Sequence, residues 1–329
     1  MFYKTLASAV VAACIATGAT AETLRFSSIE PPVAFLTSKV FSAWGKAVED
    51  ATAGEVKVKI FAGGTLGRSP AQQLKLVEDG VADVAFIVPG YNPGVFPGVI
   101  VGELPFVVPS AKAGSLAMWS VYEQGLLEGD FDKYKIIALF TSSPQYVASK
   151  PEIRMPSDLQ GRNFRASSPS LLAVIEDMGA VAVGGITGPT VAESLSRGVI
   201  EGSFNEWNAI KSYRIADAID HVLEVPMGTS PLMIVMNKAR FEGLSEAAQA
   251  GIDAVSGATF ATAFGDAFDA QIAATRADYV AQGRIAITVP DRATLDAWKA
   301  ASQPVIDDWL AAAPGRPALL AAYRAAIGE

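Results

Sequence analysis

Cysteine is almost absent: Cys14 stands alone in 329 residues, inside an N-terminal apolar run. A chain that sheds this run has no disulfide, no thiolate nucleophile and no cysteine-held metal. Histidine is equally scarce. His221 is the single imidazole, which leaves too few ligands for a zinc site, and no EF-hand spacing of acids takes its place. A hydrolytic triad would have to pair His221 with Asp220 or Asp217, yet no Gly-x-Ser-x-Gly elbow supplies the nucleophile. His221 therefore reads as a structural or solvent-facing residue. The glycine-rich stretches Gly63–Gly67 and Gly179–Gly188 lack the Walker lysine and the dinucleotide spacing, and read as turns. Basic runs are missing too. With a net charge of -8, the chain is not expected to bind nucleic acid or an anionic membrane. After the first segment, no stretch reaches the roughly 18 apolar residues of a membrane helix. No cofactor, no metal and no catalytic constellation is expected.

What is present begins with an export signal. Lys4 is a minimal positive region, Leu6 to Ile15 is apolar, and Ala19-Thr20-Ala21 is a small-residue cleavage site before Glu22. Residues 1–21 are expected to be removed, leaving a soluble monomer in the periplasm. Val11-Ala12-Ala13-Cys14 also resembles a lipoprotein processing box. The apolar region before Cys14 is too short to favour that route. Half of the residues are hydrophobic and 18% are charged, ample for two sizeable cores.

The order of elements is α/β. Thr23–Ser28, Val56–Phe61 and Val81–Val88 read as strands, with helices at Phe35–Thr52 and Ser69–Val77 between them. That order implies a parallel sheet with right-handed crossovers. A Pro/Gly-rich loop, Pro89–Pro97, carries Tyr91. A helix over Ala113–Leu127 and a strand over Tyr134–Phe140 follow. A second βα unit starts at Tyr146, and Leu232–Asn237 reads as a buried strand returning to the first sheet. From Ser245 to Gln282 the pattern is helical, about 55 Å at 1.5 Å per residue, long enough to span both units. Pro304 is expected to break the terminal helices. Domain I is expected to comprise 22–143 with about 231–270, and domain II 144–230 with about 271–329. Ligands of open α/β sheets bind beyond the carboxyl ends of the strands, so two such edges would face each other across a cleft.

One stretch is organised to present a cation there. Pro156 to Gly161 reads as a turn with one short helical turn, Gly161 permits a sharp exit, and Arg162–Ala166 is a short strand. Period two places Arg162 and Phe164 on one face, Asn163 and Arg165 on the other. If Phe164 packs on a helix, Arg165 points away from that packing. Ser167-Ser168-Pro169 then ends the strand and starts a helix. A guanidinium at that spot can hold one carboxylate through two charge-assisted bonds. On local grounds alone, a surface arginine paired with an acid is the favoured reading, since charged side chains are mostly exposed.

Nearly the whole mature chain resembles a known family. Leu66-Gly67, Gly80-Val-Ala-Asp-Val84, Phe96-Pro97 and Glu103-Leu-Pro-Phe106 come in order. Pro156-Ser-Asp-Leu-Gln-Gly161 with Arg165, Gly198-Val-Ile-Glu-Gly202 with Asn205, and Met236-Asn-Lys238 follow. In order and spacing this resembles the DctP-type solute-binding proteins of TRAP (tripartite ATP-independent periplasmic) transporters. The resemblance implies a two-domain periplasmic-binding-protein-like fold with a cleft between α/β domains and a long helix spanning both. It implies that Arg165 pairs with a substrate carboxylate, that Asn205 bonds the same ligand, and that the closed form docks on membrane permease subunits. Two departures bear on the ligand. Glu201-Gly-Ser-Phe-Asn205 stands where the family commonly has Asp-Gly-Gln-Glu-Asn, and Gln145 lies near the position of a second arginine used for acidic sugars. Tyr91, Trp207 and Phe204 add aromatic surface near the expected cleft; if Trp207 lines it, an aromatic or otherwise apolar monocarboxylate is the expected organic-acid ligand. Trp207 fits either the cleft or ordinary core packing. Tyr146 and Thr187 are candidates by location, and Glu30 and Arg68 lie in strand-end loops where polar ligand groups could meet them. An exported enzyme or a ligand-sensing module on the same fold are the alternatives.

Overall fold

Pro-Leu-Met-Ile-Val-Met-Asn (231–237) is apolar at nearly every position, the pattern of a strand buried on both faces. In the computed structural model, which describes residues 21–328, it is the tenth of eleven strands. The targeting segment, apart from Ala21, and the Cys14 box lie outside the described residues. The strands are β1 (Glu22–Ser27), β2 (Val56–Phe61), β3 (Val84–Ile87), β4 (Tyr134–Thr141), β5 (Tyr146–Ser149) and β6 (Asn163–Arg165). They continue as β7 (Val181–Ala182), β8 (Gly202–Asn205), β9 (His221–Leu223), β10 (Pro231–Asn237) and β11 (Ala286–Thr288).

One sheet has the order β2-β1-β3-β10-β4, the other β11-β9-β5-β8-β6-β7. β1 is parallel to β2 and β3, and β10 returns antiparallel between β3 and β4. In the second sheet β6 is parallel to β7 and β8, while β5 runs antiparallel to β8 and β9. Period-two alternation divides the cores. Leu232, Ile234 and Met236 pack on one face of the first sheet with Phe26, Phe86, Phe140 and Phe264. Met233 and Val235 pack on the other with Ile87, Leu139 and Met118. Likewise Val147 and Phe164 belong to one core of the second sheet, Ala148 and Val222 to the other.

The long helical pattern divides in two, Glu246–Ala254 and Gly257–Gln282. The single helix expected over Ser245–Gln282 is interrupted because Ser256 is extended and Gly257 has φ +58°. A side chain at Gly257 would also lie 2.5 Å from the Trp119 ring. The second segment alone, 26 residues or about 39 Å, spans both sheets. Phe260, Phe264 and Phe268 pack on the first, and Tyr279 on the core of the second.

Two further corrections concern the C-terminal part. Pro304 does not break the chain: Arg292–Ala311 is one helix. Trp298 anchors it in the second unit's core, and Ile306 and Trp309 in the first's. Packing at both ends offsets the roughly 3 kcal/mol that an interior proline costs. The last helix, Arg316–Ile327, packs on the first unit and not on the second. Leu319, Leu320 and Tyr323 join its core, and the Tyr323 hydroxyl donates to Gly114 O at 3.0 Å. The expected assignment of the whole segment 271–329 to domain II therefore fails beyond about Val305. Two other crossings run side by side, where Ser142 N donates to Ser230 O (2.9 Å) and Gln145 N to Gly228 O (2.8 Å).

Candidate functional site

The topology brings functional side chains to one place. β1, β3 and β4 are parallel, so Glu30, Tyr91 and Ser142 follow their carboxyl ends on one edge of the first sheet. β6 and β8 are parallel in the second sheet, and Arg165 and Asn205 are their last residues. β5 and β10 run the opposite way, so Gln145 and Ser230, just before them, meet at the same level. A cavity lies between these edges. Its volume is about 70 Å³. Its polar wall includes Glu30, Tyr91, Ser142, Gln145, Arg165, Ser167, Asn205, Glu206, Asn208, Tyr213 and Ser230, and its apolar wall Ile29, Leu36, Phe86, Val88, Leu232 and Phe268.

Arg165 has the geometry its strand pattern implies. Phe164 packs into the core, and the next side chain turns to the cavity. The 3-10 turn Pro156–Leu159 and Gly161, at φ +71°, set the entry to β6. Ser168 caps the helix Pro169–Asp177 after it, accepting from Leu171 N. The arginine is 1% exposed, yet among the described residues no carboxylate lies within ion-pair distance of it. Its Nε donates to Ile186 O (2.8 Å) and its Nη2 to the Tyr91 hydroxyl (3.0 Å). A cation taken out of water without a counter-charge is costly, and here it borders the cavity.

Asn205 lies on the neighbouring strand. Arg165 is in register with Ser203, and Asn205 is the next residue on that face. Its side-chain oxygen accepts from the Ser203 hydroxyl, which leaves the amide NH2 as its donor group. Tyr91 comes from the first unit. Its hydroxyl accepts from Arg165 and also from Gly188 N at 2.9 Å, joining the two units. The approach is close because residue 90 is glycine: a side chain there would sit 2.8 Å from the Ser168 Cβ and 2.9 Å from Ser167 O. Two buried acids of the first unit bond the second in the same way. The Tyr213 hydroxyl donates to Glu30, and the hydroxyls of Ser168 (2.6 Å) and Ser170 donate to Glu103. The two units are in contact around the cavity.

Burial governs the acids. It pushes the Glu30 carboxyl up to about 7 although the Tyr213 bond opposes it, and Glu103 to about 7 against its two serine bonds. Glu206 is pushed up to about 8 by burial, although Asn208 N and Ala209 N donate to it at the start of the helix Trp207–Ser212. The phenol of Tyr213 is pushed up by burial and by the Glu30 charge.

Five of the nine residues expected at the site line the cavity: Arg165, Asn205, Tyr91, Gln145 and Glu30. Four are corrected. Trp207 is fully buried in a core of the second sheet, stacked on Tyr279 with its Nε1 donating to Glu224 at 3.1 Å. Tyr146 packs beside it, since the period-two alternation of β5 turns that ring to the same core. Thr187 lies next to the lining residue Gly188 but turns to Thr190. Arg68 is exposed in the bend before the Pro70 turn. Glu206, Asn208 and Tyr213 were not foreseen. Local sequence marks none of them, because their enclosure comes from closure of one unit on the other. His221 opens β9 away from the cavity. Among the described residues no group of three His, Cys, Asp or Glu side chains could hold a metal, and no helix is long and apolar enough to cross a membrane.

Two α/β sheets facing across a cavity, with a buried cation on its wall and helices bridging both halves, define a two-domain solute-binding protein. Residues 26–312 match the model of the DctP family, bacterial extracellular solute-binding protein family 7, and the chain belongs to that family. Solved structures agree. A marine metagenome TRAP solute-binding protein specific for aromatic acid ligands, in complex with 3-hydroxybenzoate, superposes with a TM-score of 0.88 at 30% identity, over 94% of this chain and 99% of that one. A TRAP solute-binding protein from Rhodoferax ferrireducens with copurified benzoate gives 0.87 at 27% identity, over 93% and 97%. One from Bordetella bronchiseptica with bound (R)- and (S)-mandelate gives 0.84 at 26% identity, over 93% and 98%. The family is periplasmic, and these relatives bind solutes.

Proposed function

We propose that this protein captures an aromatic monocarboxylate in the cavity between its two units and delivers it to a TRAP membrane permease. The observation that carries the reading is Arg165, a buried guanidinium on the cavity wall with no carboxylate partner among the described residues. A ligand carboxylate supplies the missing charge and takes two donors of one planar fork. The Asn205 amide bonds the same ligand, and Tyr91, Gln145 and Glu30 complete the polar wall. Phe86, Phe268 and Leu36 offer the ring an apolar surface. The aromatic acids held by the related proteins support the same class of ligand. Ligand exchange requires the units to part by bending where the chain crosses between them, at 142–145, at 224–230 and along the two helices that span both units, a hinge motion. Export follows cleavage after Ala21, and the protein carries its ligand unchanged, with no turnover.

The test is mass spectrometry of the ligand that copurifies from the native host, joined to a thermal-shift screen of organic acids. Aromatic monocarboxylates are expected to raise the unfolding midpoint, by linkage, while sugar acids leave it unmoved. A screen in which no aromatic acid raises the midpoint refutes the reading.

A further inference from the structure

Across the cavity wall from the second sheet stands Glu30, 4% exposed, in the turn after β1. One of its oxygens, Oε1, accepts from the Tyr213 hydroxyl of the other unit. The other, Oε2, is buried and has no hydrogen-bond partner. An unpartnered buried carboxylate oxygen costs free energy of its own, so such groups are normally satisfied by protein, water or ligand. The residue lines the ligand cavity, and the ligand is the group that arrives there.

The geometry points to Glu30 as the specificity-determining residue for a ring hydroxyl, making the preferred ligand a hydroxylated aromatic monocarboxylate. This rests on the reading that Arg165 holds the carboxylate of an aromatic acid. Arg165 then fixes one end of the molecule on the second sheet, and the free oxygen of Glu30 meets a polar substituent on the ring. A hydroxyl suits that oxygen in either protonation state. It donates to the ionised carboxylate and accepts from the neutral acid. Both states matter near neutral pH, because burial pushes this carboxyl up to about 7. A methyl or chloro substituent at the same place leaves the oxygen unpaired, and an unsubstituted ring leaves it as it stands. Since Oε1 already reaches Tyr213 of the opposite unit, a ligand hydroxyl on Oε2 adds a contact that exists only when the units are together.

The test compares, by calorimetry at pH 7, benzoate, its three monohydroxy isomers and the matching methylbenzoates, on wild type and on Glu30→Met. Met keeps the length of the side chain and removes both oxygens. In wild type at least one hydroxy isomer is expected to bind about ten-fold tighter than benzoate, the worth of one hydrogen bond to a buried charged group. The matching methyl compound should show no such gain. In Glu30→Met the preference is expected to fall below about three-fold. Equal binding of benzoate and all hydroxy isomers by wild type overturns the assignment, and wild type alone decides this if the variant does not fold. A hydroxyl preference that survives in Glu30→Met overturns it as well. Failure of wild type to bind any of these acids overturns the aromatic-acid reading beneath it, and is a different result from equal binding.

Discussion

Replacing Arg165 with methionine separates a ligand anchor from a structural arginine. Methionine is flexible and apolar and fills the volume of the arginine stem, although not that of the guanidinium beside Ile186 and Tyr91. Two effects oppose each other in the empty protein. The bonds to Ile186 O and the Tyr91 hydroxyl disappear, at about 1 kcal/mol each. The desolvation of a cation with no counter-charge is relieved, which is worth a similar amount or more. The unfolding midpoint without ligand is therefore expected to stay within a few degrees of wild type. Binding has no such compensation. A ligand carboxylate enclosed without its partner is an uncompensated charge, costing about 3–5 kcal/mol, or roughly a 150-fold to 5,000-fold loss of affinity. At a ligand concentration of about 100 times the wild-type Kd, linkage stabilises wild type by about 2.7 kcal/mol. It stabilises the variant by less than about 0.4 kcal/mol under the same conditions. Titration calorimetry and thermal unfolding, with and without ligand, read both quantities. An Arg165→Met protein that binds an aromatic acid within about three-fold of wild type refutes the anchor role.

Further outcomes follow from other contacts. Tyr91→Phe removes the hydroxyl that joins Arg165 to Gly188 N across the units, so ligand affinity should fall about five- to ten-fold by calorimetry, and the ligand-free unfolding midpoint should fall too, since two bonds are lost with no charge relieved. The acids Glu30, Glu103 and Glu206 are pushed from 4.5 up to about 7, 7 and 8, so the folded protein binds more protons than the unfolded chain between those values. Their contribution to stability is present below about 4.5 and lost as pH rises through 7–8. The ligand-free midpoint should fall between pH 5 and 8.5, less steeply in Glu103→Gln, and a flat profile contradicts the assignment. A Cβ at Gly265 would lie 2.4 Å from the Lys112 Cα, so Gly265→Ala should destabilise the protein by about 1–3 kcal/mol in chemical denaturation. An exposed helical glycine would instead gain up to about 1 kcal/mol from the same change.

The legible parts of this chain were those that local pattern controls. Val56–Phe61 alternates because one face is wet, and it is a strand over just those residues. Arg165 could be aimed from two residues of alternation and a proline, since strand direction is a short-range property. Features decided by distant partners were not legible. Trp207 opens a short helix beside a cavity-lining loop, and partners distant in the chain, among them Tyr279 and Glu224, draw it into a core. Pro304 reads as a helix breaker until the two cores that anchor its helix are known. Nothing in the local sequence marks Glu206, because its enclosure depends on residues of both units.

The last helix packs on the same unit that holds Glu22 in β1, so both ends of the described chain belong to one unit. A pair of fluorophores fused to the two ends would keep a fixed separation through ligand capture and report nothing. A sensor built from this protein needs one reporter inserted in the other unit. The exposed turn at Gly184-Gly185, after β7 at the sheet edge, is such a place. Surface attachment through either end, by contrast, leaves that unit free to swing.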